Sequence, residues 1–323
     1  MAVPARILIT GYRGFVGTYL VEACRQRYPQ ATLFGLTEHP ADNIGPGDVQ
    51  AIIADITNQE AMQQAVAQAR PDLVFHLAAQ SSVALSWKVP LETLRVNAFG
   101  TVHLLEALRA EQLAPRIVLV GSGEQYGMVR PAENPISEEC PFRPANPYAV
   151  SKVTQDLYGY QYFMAYGLPI IRARPFNHFG ARQMPAMVIA RFAQQIALIE
   201  AGKLPPILTV GNLQARRDFL AVEDVVSAYL ALAEHGHPGE AYNIGSGEAR
   251  AIHTILDLLL GFARVPIEIH TDPALLRPVD VPLLEADTSR LRTHTPWKPG
   301  IPLELALQRT LDYWRTTVTA EEG

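Results

Sequence analysis

Tyr148 and Lys152 stand four residues apart in Pro147-Tyr148-Ala149-Val150-Ser151-Lys152, a spacing that puts both on one face of a helix. An ammonium held beside a phenol favours the phenolate and lowers the tyrosine pKa. Upstream, Ser122-Gly123-Glu124-Gln125-Tyr126-Gly127 closes an apolar run, and the Ser122 hydroxyl there can share a substrate oxygen with the phenol. Glu124 adds a carboxylate to the same segment. Such a set transfers a proton at a carbonyl or an alcohol while a bound cofactor moves hydride. Tyr-x-x-x-Lys alone is a weak pattern; here it closes an ordered series.

The series begins with a binding motif. Gly11-Tyr12-Arg13-Gly14-Phe15-Val16-Gly17 follows a short apolar strand and opens a helix. Glycines there permit a tight turn and bring a pyrophosphate close to backbone N–H groups at the positive helix end. This points to a nicotinamide dinucleotide. An acid at the end of the second strand usually holds the ribose hydroxyls of NAD. Here that end reads Phe34-Gly35-Leu36-Thr37-Glu38, with Thr37 in the first place to look. Arg13 can pair with a 2′-phosphate. NADP(H) is therefore the expectation, and NAD(H) bonded by Glu38, with Arg13 solvated, is the alternative. Asp55-Ile56 either caps the adenine through the Asp55 side chain or forms an ordinary helix-start turn into Asn58. Leu77-Ala78-Ala79 supplies small residues where backbone passes close to a flat ligand. His76 reads as a packed sheet residue, and Asn97 as a bridge between backbone groups of neighbouring elements.

Short apolar runs must position these residues. Strands are expected at 6–10, 32–36, 50–54, 72–76, 116–121 and 169–174, with helices at 15–27, 59–69 and 91–111. Alternating strands and helices imply a parallel sheet covered on both faces. Beyond residue 174 prolines break the sequence into shorter pieces. Helices are expected at 186–201, 222–234, 252–262 and 303–314, and 241–244 is expected to return to the main sheet as a strand. Ligand should sit between the two parts, beyond the carboxyl ends of the strands. A large domain over 1–174, with a return segment near 219–246, and a smaller lobe from 175–218 and 247–323 are expected. The tail from Thr319 is expected to fray.

At 323 residues the chain is long for one compact core. A net charge of −5 argues against a general nucleic-acid footprint. Cys24 and Cys140 lie far apart with no C-x-x-C, which fits a reduced, cytoplasmic setting and supports no metal site. No apolar stretch reaches the roughly 18 residues a bilayer requires, and no signal-peptide core precedes the first strand.

The glycine turn, Asp55, Leu77-Ala78-Ala79, Asn97, Ser122, Tyr148 and Lys152 together resemble the extended short-chain dehydrogenase/reductase family over essentially the whole chain. The resemblance implies an α/β fold, a Rossmann-type doubly wound parallel sheet with a smaller α+β C-terminal substrate lobe. It also implies a nucleotide-linked sugar as substrate and a homodimer formed through two helices. Arg174-Pro175-Phe176-Asn177-His178, Val210-Gly211-Asn212-Leu213, Arg217-Asp218-Phe219 and Leu276-Arg277-Pro278 resemble the GDP-mannose-derived branch, which holds 4,6-dehydratases and GDP-6-deoxy-4-keto-mannose reductases. That resemblance implies that Asn177, Arg217 and Arg277 contact the diphosphate or the guanosine ribose, with Arg191 a weaker candidate. Two arginines on an acidic chain can clamp a diphosphate; the alternative is surface arginines paired with Asp218 and Asp280.

The two branches need different chemistry. A dehydratase oxidises C4, removes the C5 proton, expels the C6 hydroxyl and returns hydride to C6. Dehydratases of the wider family carry an acid or hydroxyl residue, then Glu, after the serine or threonine. This chain has Gly123, which offers no proton, and keeps Glu124, which could serve as a C5 base. A reductase needs only Tyr148, Ser122, Lys152 and the cofactor. The resemblance therefore implies reduction of the C4 ketone of GDP-6-deoxy-4-keto-D-mannose to GDP-D-rhamnose. A dehydratase or bifunctional enzyme, another nucleotide-sugar epimerase or reductase, and a noncatalytic dinucleotide-sensing module are the alternatives.

Overall fold

The computed structural model describes residues 3–38, 49–275 and 281–320. Six short strands open the chain: β1 (Arg6–Thr10), β2 (Thr32–Thr37), β3 (Gln50–Ile53), β4 (Leu73–His76), β5 (Arg116–Val120) and β6 (Ile170–Pro175). Seven more follow: β7 (Asn177–Phe179), β8 (Ile207–Val210), β9 (Arg216–Ala221), β10 (Ala241–Ile244), β11 (Ala249–Ala251), β12 (Glu268–Thr271) and β13 (Leu283–Leu284). The helices are α1 (Phe15–Arg27), α2 (Gln59–Ala69), α3 (Val83–Lys88), α4 (Pro90–Leu94), α5 (Gly100–Ala110) and α6 (Pro147–Tyr166) in the first half. They continue as α7 (Val188–Glu200), α8 (Val222–His235), α9 (Ile252–Gly261), α10 (Ser289–His294) and α11 (Leu303–Ala320).

The main sheet has seven strands in the order β10-β6-β5-β4-β1-β2-β3, all parallel. Its strands are apolar runs because both faces are covered. The period of two sorts them: Ile7 and Ile9 join a core with Leu20 of α1 and Tyr229 of α8, while Leu8 joins a core with Met62 of α2 and Leu105 of α5. The order reverses between β1 and β4, which opens a crevice at their carboxyl ends, beside Thr10 and His76. The expected return strand, Ala241–Ile244, pairs with β6, with Ile244 opposite Pro175.

A second set of elements gathers β7, β9, β11 and β13 in one small sheet and β8 with β12 in another. Helices α7, α9 and α11 pack there around Phe192, Ile255, Leu259 and Leu311. These small strands were not expected from the sequence. They are two to six residues long, and Arg216-Arg217-Asp218 gives β9 no apolar alternation to read. Helix α11 also runs beyond 314, through Thr319, whose hydroxyl donates to the Arg315 carbonyl at 3.1 Å. The stretch expected as one helix at 91–111 is α4, a π turn at Arg95–Phe99, and α5. The turn places Asn97 inward, where its side chain bonds Gln80 N and O and donates to Ser151 Oγ at 2.8 Å. No helix among the described residues is long and apolar enough to cross a membrane.

Candidate active site

At the crevice, the glycine loop is pressed against its neighbours. Gly11 has φ +71°, and a Cβ on it would lie 2.8 Å from Ala78 N. A Cβ on Gly17 would meet Gly11 O at 2.2 Å, so helix α1 packs directly on the loop. Gly14 caps α1 without a side-chain hydrogen bond, which leaves the first N–H groups of that helix directed at the crevice. The loop therefore has the tight turn, the uncapped helix end and the small Ala78-Ala79 wall that a dinucleotide pyrophosphate requires. Phe15 stacks on His178, ring centroids 6.1 Å apart. Val16 is half-buried behind it.

Tyr12 packs across Gly35, where a Cβ would lie 2.5 Å from its ring, so its side chain belongs to the core and only its backbone faces a ligand. Arg13 is exposed on the loop and Thr37 is buried at the end of β2, one residue past the register partner of Thr10. Asp55 Oδ1 accepts from Thr57 N and Oγ1 at 2.8 and 2.7 Å, and Asn58 caps α2. The helix-start turn thus occupies that carboxylate oxygen. Ile56 is buried, with its carbonyl bonded to His103 Nδ1 at 3.0 Å. His76 is packed in the sheet between Thr10 Oγ1 (2.8 Å) and Thr101 Oγ1 (2.9 Å). Burial, and then the charge of Lys152, push its pKa down to about 3.

The reactive set converges from β5, the turn after it, and α6. Asn146 caps α6 by accepting from Ala149 N at 2.8 Å, and Pro147 starts the helix, so Tyr148 sits in the first turn. Ser122 is held by its own N–H, which donates to Gln125 Oε1 at 2.7 Å. Its hydroxyl accepts from Glu124 N at 3.2 Å and faces the Tyr148 phenol, on whose pKa it acts downward. Glu124 Oε2 accepts from Asn146 Nδ2 at 3.3 Å. Lys152 is buried and donates from Nζ to Val120 O at 2.8 Å and Gln155 Oε1 at 2.7 Å.

The electrostatics differ from the sequence expectation. Tyr148 is not lowered. Burial pushes its phenol up to about 12, the Ser122 hydroxyl opposes this, and the Glu124 charge adds to it. Lys152 points at two carbonyl oxygens rather than at the phenol, and burial pulls its ammonium down to about 7. The pair thus presents a neutral, proton-carrying tyrosine.

Beneath the set lies a buried network that the motifs did not announce. Asp156, one turn after Lys152, accepts from Arg172 Nη1 at 2.7 Å and from Arg174 Nε at 2.9 Å. Arg174 Nη1 donates to the Tyr126 hydroxyl at 2.8 Å, and Tyr126 donates to Asn243 Oδ1 at 2.7 Å. Tyr126 belongs to the turn that carries Ser122 and Glu124; Asp156 belongs to the helix that carries Tyr148 and Lys152. Arg174 clamps one to the other. Spacing could have found Gln155 and Asp156, which lie three and four residues after Lys152, but the strand partners of Asp156 are set by pairing no local pattern shows.

The expected substrate residues are less concentrated. Asn177 begins β7 opposite Phe219 and is half-buried. Arg217 is buried on β9, where Nη1 donates to Val281 O at 2.6 Å and Arg216 O at 3.0 Å. Asp218 points elsewhere, accepting from Ser246 N and Oγ, Gly247 N and Ala286 N. Arg191 is half-buried in the first turn of α7. Arg277, with Asp280, lies outside the described residues.

Comparison with known proteins bears on this arrangement. Residues 8–310 match the family model described as GDP-mannose 4,6 dehydratase. The chain is 35% identical to GDP-6-deoxy-D-mannose reductase of Pseudomonas aeruginosa, over 98% of this chain and 99% of that one. It is 29% identical to GDP-mannose 4,6 dehydratase 1 of Arabidopsis thaliana, covering 96% of this chain and 90% of the relative. A solved structure of RMD from Pseudomonas aeruginosa complexed with NADPH superposes with a TM-score of 0.83 at 34% identity, covering 97% and 99% of the two chains. The chain belongs to the extended short-chain dehydrogenase/reductase family, in the group whose model is described as GDP-mannose 4,6 dehydratase.

Proposed function

We propose that the protein is an NADPH-dependent reductase that converts the C4 ketone of GDP-6-deoxy-4-keto-D-mannose to the alcohol of GDP-D-rhamnose. The observation that carries reduction over elimination is position 123. The turn presents Ser122 and Glu124 with a glycine between them, so residue 123 offers no proton, and Tyr148 on α6 carries the one that reduction needs. Similarity along 98% of the chain, at 35% identity, to a GDP-6-deoxy-D-mannose reductase supports the substrate class.

The glycine loop, Gly11 to Gly17, would hold the pyrophosphate on α1, with Leu77-Ala78-Ala79 against the flat ring and Thr37, Asp55 and Ile56 around the adenosine. Bound there, the reduced nicotinamide supplies hydride to C4. Ser122 shares the ketone oxygen with Tyr148 and fixes its direction. Tyr148 gives its proton to that oxygen as negative charge builds on it. Lys152, whose ammonium is anchored on Val120 O and Gln155 Oε1, would hold the ribose side of the site while it is charged. Asn177, Arg217 and Arg277 would bind the GDP portion, with Arg191 at its edge. The cofactor then rests on 1–174 and the 219–246 return, and the sugar nucleotide on 175–218 and 247–323.

Glu124 favours one second reading. Its backbone N–H donates to Ser122 Oγ, its carboxylate accepts from Asn146 Nδ2 and would be the base for a C5 proton, and a dehydratase is among the relatives. Paired assays separate the two. One reaction receives GDP-6-deoxy-4-keto-D-mannose with stoichiometric NADPH, the other GDP-mannose with catalytic NADP⁺, and products are resolved by NMR. NADPH consumption and GDP-D-rhamnose in the first alone support the reductase. Keto-sugar from the second makes the chain a dehydratase, or bifunctional when both proceed.

Arg13 on the glycine loop is proposed to meet the 2′-phosphate. Arg13→Ala should then shift the NADPH:NADH ratio of kcat/KM toward NADH by roughly 10–100-fold, the scale of a hydrogen bond to a charged group. An unchanged ratio removes this assignment and favours Glu38 as a ribose partner.

A homodimer is proposed through α6. Val150, Leu157 and Met164 are exposed at seven-residue spacing along it, and α4, which packs beside α6, exposes Leu91. Leu157→Glu with Met164→Glu should convert a dimer to a monomer in sedimentation velocity. A monomeric wild type, or a dimeric variant, rules this surface out.

A further inference from the structure

Gly123 stands in a 3-10 turn, Gly123–Tyr126, with its backbone outside the left-handed region, so any L residue can adopt its conformation. A neighbour, not the backbone, keeps a side chain out. A Cβ on Gly123 would lie 2.8 Å from Phe176 Cδ2 and 2.9 Å from its Cγ, closer than carbon atoms approach one another. The ring has little room to move away. It is buried in a cluster with Tyr126, Ile136, Val281, Leu284 and Ala286. The Tyr126 ring lies 6.1 Å from it, and the Phe176 N–H donates to Ile244 O at 2.8 Å. Tyr126 is in turn fixed by Arg174 and Asn243.

We propose that Phe176 is a specificity-determining residue: its ring holds position 123 to glycine and so keeps a second proton donor out of the site. The inference rests on the reductase reading above. Reduction of a ketone forms one C–H and one O–H bond, and its single proton comes from Tyr148. Loss of water from a 4-keto sugar that still carries its C6 hydroxyl would break C5–H and C6–O, and the departing hydroxyl would need a proton of its own. Residue 123, flanked by Ser122 at the C4 oxygen and by Glu124, is where a side chain could supply it. The Phe176 ring fills that space. Phe176 acts through the turn and is a positioning residue, not a catalytic one.

The test is a double-mutant cycle of Gly123→Ser and Phe176→Ala, assayed for NADPH-dependent reduction of the keto-sugar. Gly123→Ser should lower kcat by about 10²-fold with KM near wild type, because the collision displaces Ser122 by a fraction of its hydrogen-bond reach. Adding Phe176→Ala should restore kcat at least tenfold over Gly123→Ser alone. A fully active Gly123→Ser, or a double variant no faster than that single, overturns the proposal. Should Phe176→Ala chains not fold, a crystal structure of Gly123→Ser decides. The proposal requires the ring or the 122–126 turn to have moved, and a serine seated at 123 with both in place overturns it. A wild type that does not reduce the keto-sugar sinks the function reading instead, and the crystallographic arm still tests the exclusion.

Discussion

Tyr148→Phe should cut kcat by about 10²–10⁴-fold and leave KM close to wild type. The substitution removes one oxygen from a buried ring in the first turn of α6, so packing is kept while the proton donor is lost. The effect should fall on kcat and kcat/KM alike, because the bond to the C4 oxygen strengthens only as charge develops there. The pH profile sharpens the test. With its phenol pushed up to about 12, Tyr148 stays protonated through the working range and contributes no alkaline limb there. Lys152, pulled down to about 7, loses its charge as pH rises through that value, so the descending limb should lie near neutrality and belong to the lysine. Lys152→Arg should move that limb upward. A Tyr148→Phe enzyme with full turnover would falsify the proton-donor role.

The parts of the fold that repeat were the parts the sequence could show. β1, α1, α2 and β10 fall where their apolar runs begin and end, since a parallel strand buried on both faces is a short unbroken apolar run and a glycine turn marks its exit. The π turn at Arg95–Phe99 was hidden because one extra residue per turn leaves the apolar stripe on either side intact. The small strands of the second part were hidden for a different reason. β9 buries Arg217 and Asp218 by bonding them to backbone groups 64 and 28 residues away, and no local period records such partners. The site followed the same division. Ser122, Tyr148 and Lys152 were singled out by type and spacing; the structure sets the Ser122 hydroxyl against the Tyr148 phenol and anchors Lys152 on Val120 O and Gln155 Oε1. The direction of the tyrosine pKa was not legible, because it follows from burial of the phenol, with the Lys152 ammonium directed at those two oxygens instead. Nor was the reason for Gly123, which is a ring 53 residues later.

Asp156→Ala should destabilise the folded protein by about 3–5 kcal/mol, the cost of leaving buried charge unpaired. Asp156 is almost fully buried, and both Arg172 and Arg174 donate to it. Removing its carboxylate leaves two guanidinium groups without that counter-charge, one of which is itself buried. Thermal unfolding should fall by roughly 5–10 °C. The pH dependence has a fixed sign. Burial raises the Asp156 pKa, but the charges and hydrogen bonds of Arg174 and then Arg172 outweigh it, and the net shift is downward. A carboxyl whose folded pKa lies below its unfolded value stabilises the protein above the unfolded value, about 3.9, and that stability is lost as pH falls through the folded one. The variant should therefore lose part of the wild type's acid limb and show the largest deficit near neutrality. Function should follow through the clamp. Without Asp156, Arg174 no longer ties the Tyr126 turn to α6, so Ser122 and Tyr148 lose their fixed separation and kcat falls more than KM rises. Asp156→Asn separates the contributions, since it keeps the shape and half the hydrogen bonding but not the charge. An Asp156→Ala protein with wild-type melting and wild-type kcat would show that the turn and the helix hold their places without the clamp.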